Sequence, residues 1–117
     1  MGTVPKTVIH IFHADQDSLA TGAHVAERIR QVAADRGVEL EVYLFGPAEQ
    51  ALLDIDRAEF NTQIDALIER GVPVRTCLNI AAAAGAADQL AQRGIQLEFA
   101  RDAFARYGRE AAAVISF

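Results

Sequence analysis

The chain has one cysteine, one methionine, three prolines and no tryptophan in 117 residues. A lone cysteine excludes an internal disulfide, and a reducing, cytoplasmic setting is the expectation that follows. Lysine and arginine form no block, and the net charge is −5. That balance argues against a nucleic-acid groove or an anionic-membrane patch as the working surface, and neither partner is expected. No segment approaches the roughly 20 apolar residues that cross a bilayer, so no membrane is expected. The opening MGTVPKTVIHIF carries one lysine and an apolar run too short for a signal-peptide core. There is no GxGxxG and no GxxxxGK[ST], hence no marker of a nucleotide phosphate loop. No CxxC is present to form a thioredoxin-type redox pair. A response-regulator receiver would need an aspartate where Cys77 stands.

What is present is an apolar, evenly punctuated chain. Half of it is hydrophobic and about a quarter charged, the composition of a globular domain rather than a disordered or fibrous one. At this length, residues 1–117 are expected to form one domain and to bury somewhat over ~60% of their unfolded surface.

Residues 7–12 (TVIHIF) are β-branched and apolar, as in a strand covered on both faces. A polar loop follows, with Asp17 or Ser18 as helix cap, and then a helix whose alanines, Ile29 and valines form an apolar stripe. Residues 39–45 (ELEVYLF) predict the second strand, ended by Gly46-Pro47. Residues 48–53 predict a short helix. Residues 56–70 predict a longer one, with Phe60, Ile64, Leu67 and Ile68 on one face and Gly71 as its stop. Residues 72–78 predict a third strand, with Pro73 at its start where a missing N–H is tolerated. Residues 81–93 predict a helix broken at Gly85, residues 95–99 a fourth strand, residues 101–109 a helix, and residues 111–117 a fifth strand. Such alternation implies an α/β fold: a three-layer α/β/α sandwich, flavodoxin-like, around a mostly parallel five-stranded sheet. All strand C-termini then share one rim, where open α/β sheets place their chemistry.

The stretch GVPVRTCLNIAAAAG, residues 71–85, puts Cys77 near the end of a strand that turns straight into a helix. A thiol there reads as a nucleophile or sulfur carrier, because the thiolate is the attacking form and a helix start favours it. It also reads as a small buried hydrophobe, which free cysteine often is. His13, Asp15 and Asp17 follow the first strand on the same rim. They read as loop and capping residues, with His13 also placed to take a thiol proton. Arg75 lies two residues before Cys77, hence on the same strand face, where it favours a thiolate or pairs with a carboxylate. Asn79 reads as a helix cap or a hydrogen-bond partner of the Cys77 loop, and Tyr43 and Phe45 as wall or interface residues. His10, His13 and Asp15 do not make a ligand set, since residues three apart on a strand face opposite ways, and His24 lies in a helix. No metal and no organic cofactor is expected.

The run GVPVRTCLNIAAAAGA resembles the segment around the cysteine of the DsrE/DsrF-like family, with Cys77 at the family's cysteine and Gly85 at its later glycine. The stretch FGPAEQALL with the following ERGV, and YGRE with AAAVISF, are similar as well, so the resemblance spans nearly the whole chain. It implies an α/β/α sandwich, a homo-oligomer such as a trimer or hexamer, and a cysteine that carries a persulfide sulfur between protein donors and acceptors. The sequence departs from the family's sulfur-relay members at Ala83 and Ala84, where those commonly carry arginines that could hold an anionic sulfur species or a partner. Two functions stand open at this point: a sulfur-handling protein acting through Cys77, assisted by His13, Arg75 and Asn79, or a non-catalytic oligomeric binding or scaffold domain with a structural Cys77.

Overall fold

The computed structural model describes residues 4–117. Five strands and six helices alternate: β1 (Lys6–Ile11), α1 (Gln16–Ala33), β2 (Glu39–Leu44), α2 (Pro47–Ala51), α3 (Ala58–Glu69), β3 (Val74–Thr76), α4 (Leu78–Ala83), α5 (Ala87–Gln92), β4 (Gln96–Leu97), α6 (Ala100–Arg109) and β5 (Ala113–Ser116). The sheet is parallel throughout, in the order β4-β3-β2-β1-β5. The fold is the flavodoxin-like α/β/α sandwich that the alternation predicts.

The strand order divides the layers unequally. Three successive steps from β1 to β4 run in one direction, so right-handed crossovers put their helices on one face. There Ile9, Ile11, Val42, Leu44 and Val74 pack against Leu19, Ala23 and Ala26 of α1, Phe60, Ile64 and Leu67 of α3, and Leu90 of α5. The return from β4 to β5 runs the opposite way and lays α6 alone on the other face. Its core is small: Val8, Tyr43, Ala103 and Tyr107, flanked by Phe45 and Phe104. Strand alternation sends Leu40, Val42 and Leu44 to the first layer and Glu41 and Tyr43 to the second.

Several elements are shorter than their sequence patterns predict. The third strand keeps three residues of the expected seven. Pro73 contributes only its carbonyl, which accepts from Val42 N at 2.9 Å, and helix geometry begins directly after Cys77. The fourth strand keeps two residues. The helix expected over 56–70 opens with a 3₁₀ turn, Ile55–Arg57, before α3. Gly85 divides α4 from α5 as expected, at φ +67°. The cap of α1 is Asp15, not Asp17 or Ser18: its carboxylate accepts from Ser18 N at 3.0 Å and Ser18 Oγ at 2.7 Å.

Gly46, between β2 and α2, has φ +71° and ψ −135°, a region essentially confined to glycine. A Cβ there would also run into the Phe12 ring. The turn it makes aims α2 back over the rim.

β5 is an edge strand. Phe117 N donates to His10 O, and Phe117 O accepts from Phe12 N, both at 2.8 Å. By alternation the amides and carbonyls of Val114 and Ser116 face away from β1, and among the described residues no strand lies beyond β5. Val114 and Ile115 are 40% and 45% exposed. No helix is long and apolar enough to cross a membrane among the described residues.

Candidate functional site

Cys77 follows the last residue of β3 and occupies the cap position of α4, with φ −73° and ψ 121°. It lies on the rim of strand C-termini, as its sequence context predicts, but is only 5% exposed. Its backbone amide donates to Glu49 Oε1 at 3.2 Å. Glu49 belongs to α2 and is carried over the end of the sheet by the Gly46 turn. It is 2% exposed, and its second carboxylate oxygen has no hydrogen-bond partner. Burial pushes the Glu49 carboxyl up to about 7, outweighing the opposite pull of Thr76 and the Cys77 amide. Desolvation without a paired cation has this effect on an acid.

Tyr43 completes the cluster. It is fully buried, and its hydroxyl donates to the Glu98 carbonyl at 2.8 Å. Burial, and then the neighbouring Cys77, Glu49 and Glu98, raise its phenol well above the ordinary value. A thiol, a carboxyl that is half protonated near neutrality and a neutral phenol are thus gathered where β2, β3 and α2 meet.

Among the described residues, none of the three expected to assist Cys77 makes a hydrogen bond to it. The Arg75 guanidinium turns to Glu41, with Nε to Oε2 at 2.9 Å, and to Gln96. Asn79 is exposed in the first turn of α4, whose cap position is Cys77 rather than Asn79. His13 is exposed beyond β1, with its ring edge-on to Phe12 at 5.1 Å. β2 separates β1 from β3, so His13 stands two strand spacings, roughly 10 Å, from the Cys77 rim position. His10 is half-buried, with Nδ1 2.9 Å from Ser116 Oγ and Nε2 unpartnered. Burial, then His13, holds its imidazole below the usual range.

Glu49 is the site residue that the sequence reading passes over. Its signal is visible in hindsight: Glu49, Leu52 and Leu53 stand at i, i+3 and i+4, the spacing of an inward helix face.

A second polar cluster underlies α6. Glu41, 1% exposed on β2, accepts from Arg75 Nε at 2.9 Å, Arg106 Nη2 at 2.8 Å, Lys6 Nζ at 3.2 Å and the Tyr107 hydroxyl. Burial opposes its ionisation, but hydrogen bonds from Arg106 and Tyr107 and the charges of Arg75 and Arg106 hold the carboxyl down at about 2. Arg106 also reaches Glu98 at 2.8 Å, and Lys6 reaches Glu110 at 3.1 Å. Every member has a partner, and the cluster reads as the clasp of α6 onto the sheet.

No protein-family model matches the chain, and no curated protein matches it in sequence. Among solved structures it is similar to a conserved protein of unknown function from Bacteroides thetaiotaomicron. The TM-score is 0.76 at 13% identity, over 96% of this chain and 94% of that one. That likeness concerns the fold.

Proposed function

We propose that this protein handles sulfane sulfur in the manner of the DsrE-like family that its sequence resembles, with Cys77 as the carrier. The Cys77 thiolate attacks the terminal sulfur of a donor persulfide, R–S–SH. An S–S bond forms to Cys77, the donor's S–S bond breaks, and the electron pair leaves with the donor's own sulfur, which is protonated to R–SH. No oxidant is consumed. The reverse step passes the sulfur to an acceptor thiol.

The observation that carries this reading is the Glu49 carboxyl, buried without a cation against the Cys77 amide. Burying an acid with an unsatisfied oxygen is destabilising by about 1–3 kcal/mol or more. A core needing only a small apolar residue at position 77 gains nothing from it. Strongly perturbed acids beside a nucleophile are a mark of reactive sites. On incubation with inorganic polysulfide, the native protein is expected to gain one sulfur atom by mass spectrometry, and Cys77→Ser to gain none. A wild-type protein that takes up no sulfur overturns the proposal.

The 5% exposure of Cys77 favours a second reading, an oligomeric binding domain in which the thiol only packs. Its partner surface would be the β5 edge. An antiparallel second copy centred on Ile115 would pair Val114 with Ser116 of the partner subunit and use the free amides and carbonyls of both. Residues 111–117 carry no side-chain charge to oppose the approach. Light scattering is expected to return a dimer or a multiple of it, and Ile115→Lys, at an exposed position, to lower that mass without loss of folding. A wild-type monomer removes this surface from consideration.

A further inference from the structure

We infer that the Tyr43 hydroxyl is the hydrogen-bond donor that stabilises the Cys77 thiolate. The inference rests on the sulfur-handling reading for its purpose, but the bond can be measured without sulfur. The sheet itself brings the two side chains together. Tyr43 pairs with Arg75 in the β2–β3 register. Cys77 lies two residues beyond Arg75 and keeps an extended backbone, φ −73° and ψ 121°. Strand alternation therefore puts Tyr43, Arg75 and Cys77 on one face.

β3 lies between β2 and β4, yet the Tyr43 hydroxyl reaches the carbonyl of Glu98, the residue after β4, at 2.8 Å. The Glu98 amide in turn donates to Thr76 O at 3.0 Å. The phenol thus crosses the end of β3 on the side that carries Arg75 and Cys77. Arg75 turns away to Glu41, Nε to Oε2 at 2.9 Å. The Cys77 side chain is left as the hydrogen-bonding neighbour of the hydroxyl.

A phenol hydroxyl has one proton to give and lone pairs to accept with. In the resting protein the proton goes to Glu98 O, and a lone pair is open to the thiol. Once Cys77 ionises, rotation about the Cζ–Oη bond carries the proton from the carbonyl to the sulfur, with no heavy atom displaced. Glu98 is only partly buried, so its carbonyl can turn to water instead. The charged groups around the thiol give it no other help. Glu49 from α2 is held on the Cys77 amide, Glu98 lies beyond β4, and both are acids. The Arg75 charge is met by Glu41. A thiolate among acids needs a donor that is neutral and keeps its own proton. Tyr43 is such a group, because it is fully buried and burial holds its phenol protonated above the ordinary range. Hydrogen bonds to an ionised group are roughly twice as strong as those between neutral ones, so the bond grows as the charge forms.

Tyr43→Phe tests this, because it deletes the proton and keeps the ring. Cys77 is the only cysteine, so the pH profile of thiol alkylation by iodoacetamide reports its ionisation alone. In Tyr43→Phe the midpoint of the profile should rise by about one pH unit and the rate at neutral pH fall about tenfold, what a hydrogen bond to a charged group is worth. A merely structural role would instead loosen the rim and raise the rate at every pH. A ring-fluorinated tyrosine at position 43, a stronger donor of nearly the same shape, should move the midpoint down. It also keeps the test open should Tyr43→Phe fold poorly, which thermal unfolding reports. An unchanged midpoint in either folded variant overturns the inference. Sulfur uptake from inorganic polysulfide is followed alongside. A wild type that takes up none, with the midpoint still moved by Tyr43→Phe, removes the sulfur reading and leaves the donor in place. Uptake with an unmoved midpoint does the reverse.

Discussion

Glu41→Ala is expected to lower the unfolding free energy by about 3–5 kcal/mol in urea, with little change in slope, the range seen when one member of a buried ionic cluster is removed. Domains of this kind hold only about 5–15 kcal/mol in total, so the substitution removes a large part of the margin. The reason is local. Arg75, Arg106 and Lys6 all converge on one carboxylate that is 1% exposed, and without it three cations face one another beneath α6. Glu98 and Glu110 still hold Arg106 and Lys6 from outside, but Arg75 keeps only Gln96. Glu41→Gln should be milder than the alanine variant, since it retains acceptors for Arg106 and Tyr107. Both variants should loosen α6 first, visible as faster amide exchange in residues 100–109. A loss below about 1 kcal/mol, the worth of an exposed ion pair, would show that the cluster does not clasp α6.

The second large effect is the dependence of stability on pH, where two buried acids act in opposite senses. Glu41 titrates at about 2 in the fold against an ordinary 4.5. Its contribution is therefore complete above pH 4.5 and is lost as the pH falls toward 2. Glu49 titrates at about 7 against the same 4.5. Its folded form prefers the proton, so its contribution is complete below pH 4.5 and is lost as the pH rises toward 7. At about 1.4 kcal/mol per pH unit, each displacement is worth roughly 3 kcal/mol. His10, held below 6.5 by burial, acts like Glu41 in sign, since it resists gaining charge as the pH falls below 6.5. Differences between variants isolate each group. The wild type minus Glu41→Gln should lose its gap as the pH falls from 4.5 to 2. Glu49→Gln should gain on the wild type between pH 4.5 and 7 and hold that gain above it. A Glu49→Gln difference that stays flat across this interval means that the acid is not buried as described.

Much of this architecture is legible in the sequence. Alternating apolar runs and capped helices are local signals, and they place all five strands and the break at Gly85. What local signals do not carry is how deep each strand sits in the sheet. β3 and β4 are short because helix geometry takes over after Cys77 and because β4 is an edge. Neither fact is written in residues 72–78 or 95–99 themselves. The site divides the same way. A strand running into a helix marks Cys77 from its own neighbourhood. Arg75 was expected beside it by alternation alone, but the register that pairs Tyr43 with Arg75 leaves Glu41 one pleat away, and a buried carboxylate draws a guanidinium more strongly than a thiol does. Glu49 escapes a linear reading because its meaning comes from the Gly46 turn, which folds α2 over a rim built from residues almost thirty positions further on.

The single long return across the sheet bears on the order in which the molecule assembles. Four strands with neighbouring crossovers can zip up one after another. The fifth pairs with β1, about a hundred residues back in the chain, and it must cross the whole sheet to get there, a non-local contact of the kind that slows folding. Until that closure, β1 has an open flank and Tyr43 faces water. A partly folded chain therefore presents a sticky edge, and arrival of α6 with its charges is the event that seals it. Weakening the latch at Glu41 would prolong that vulnerable interval, and aggregation during refolding would report it before any loss in the finished molecule.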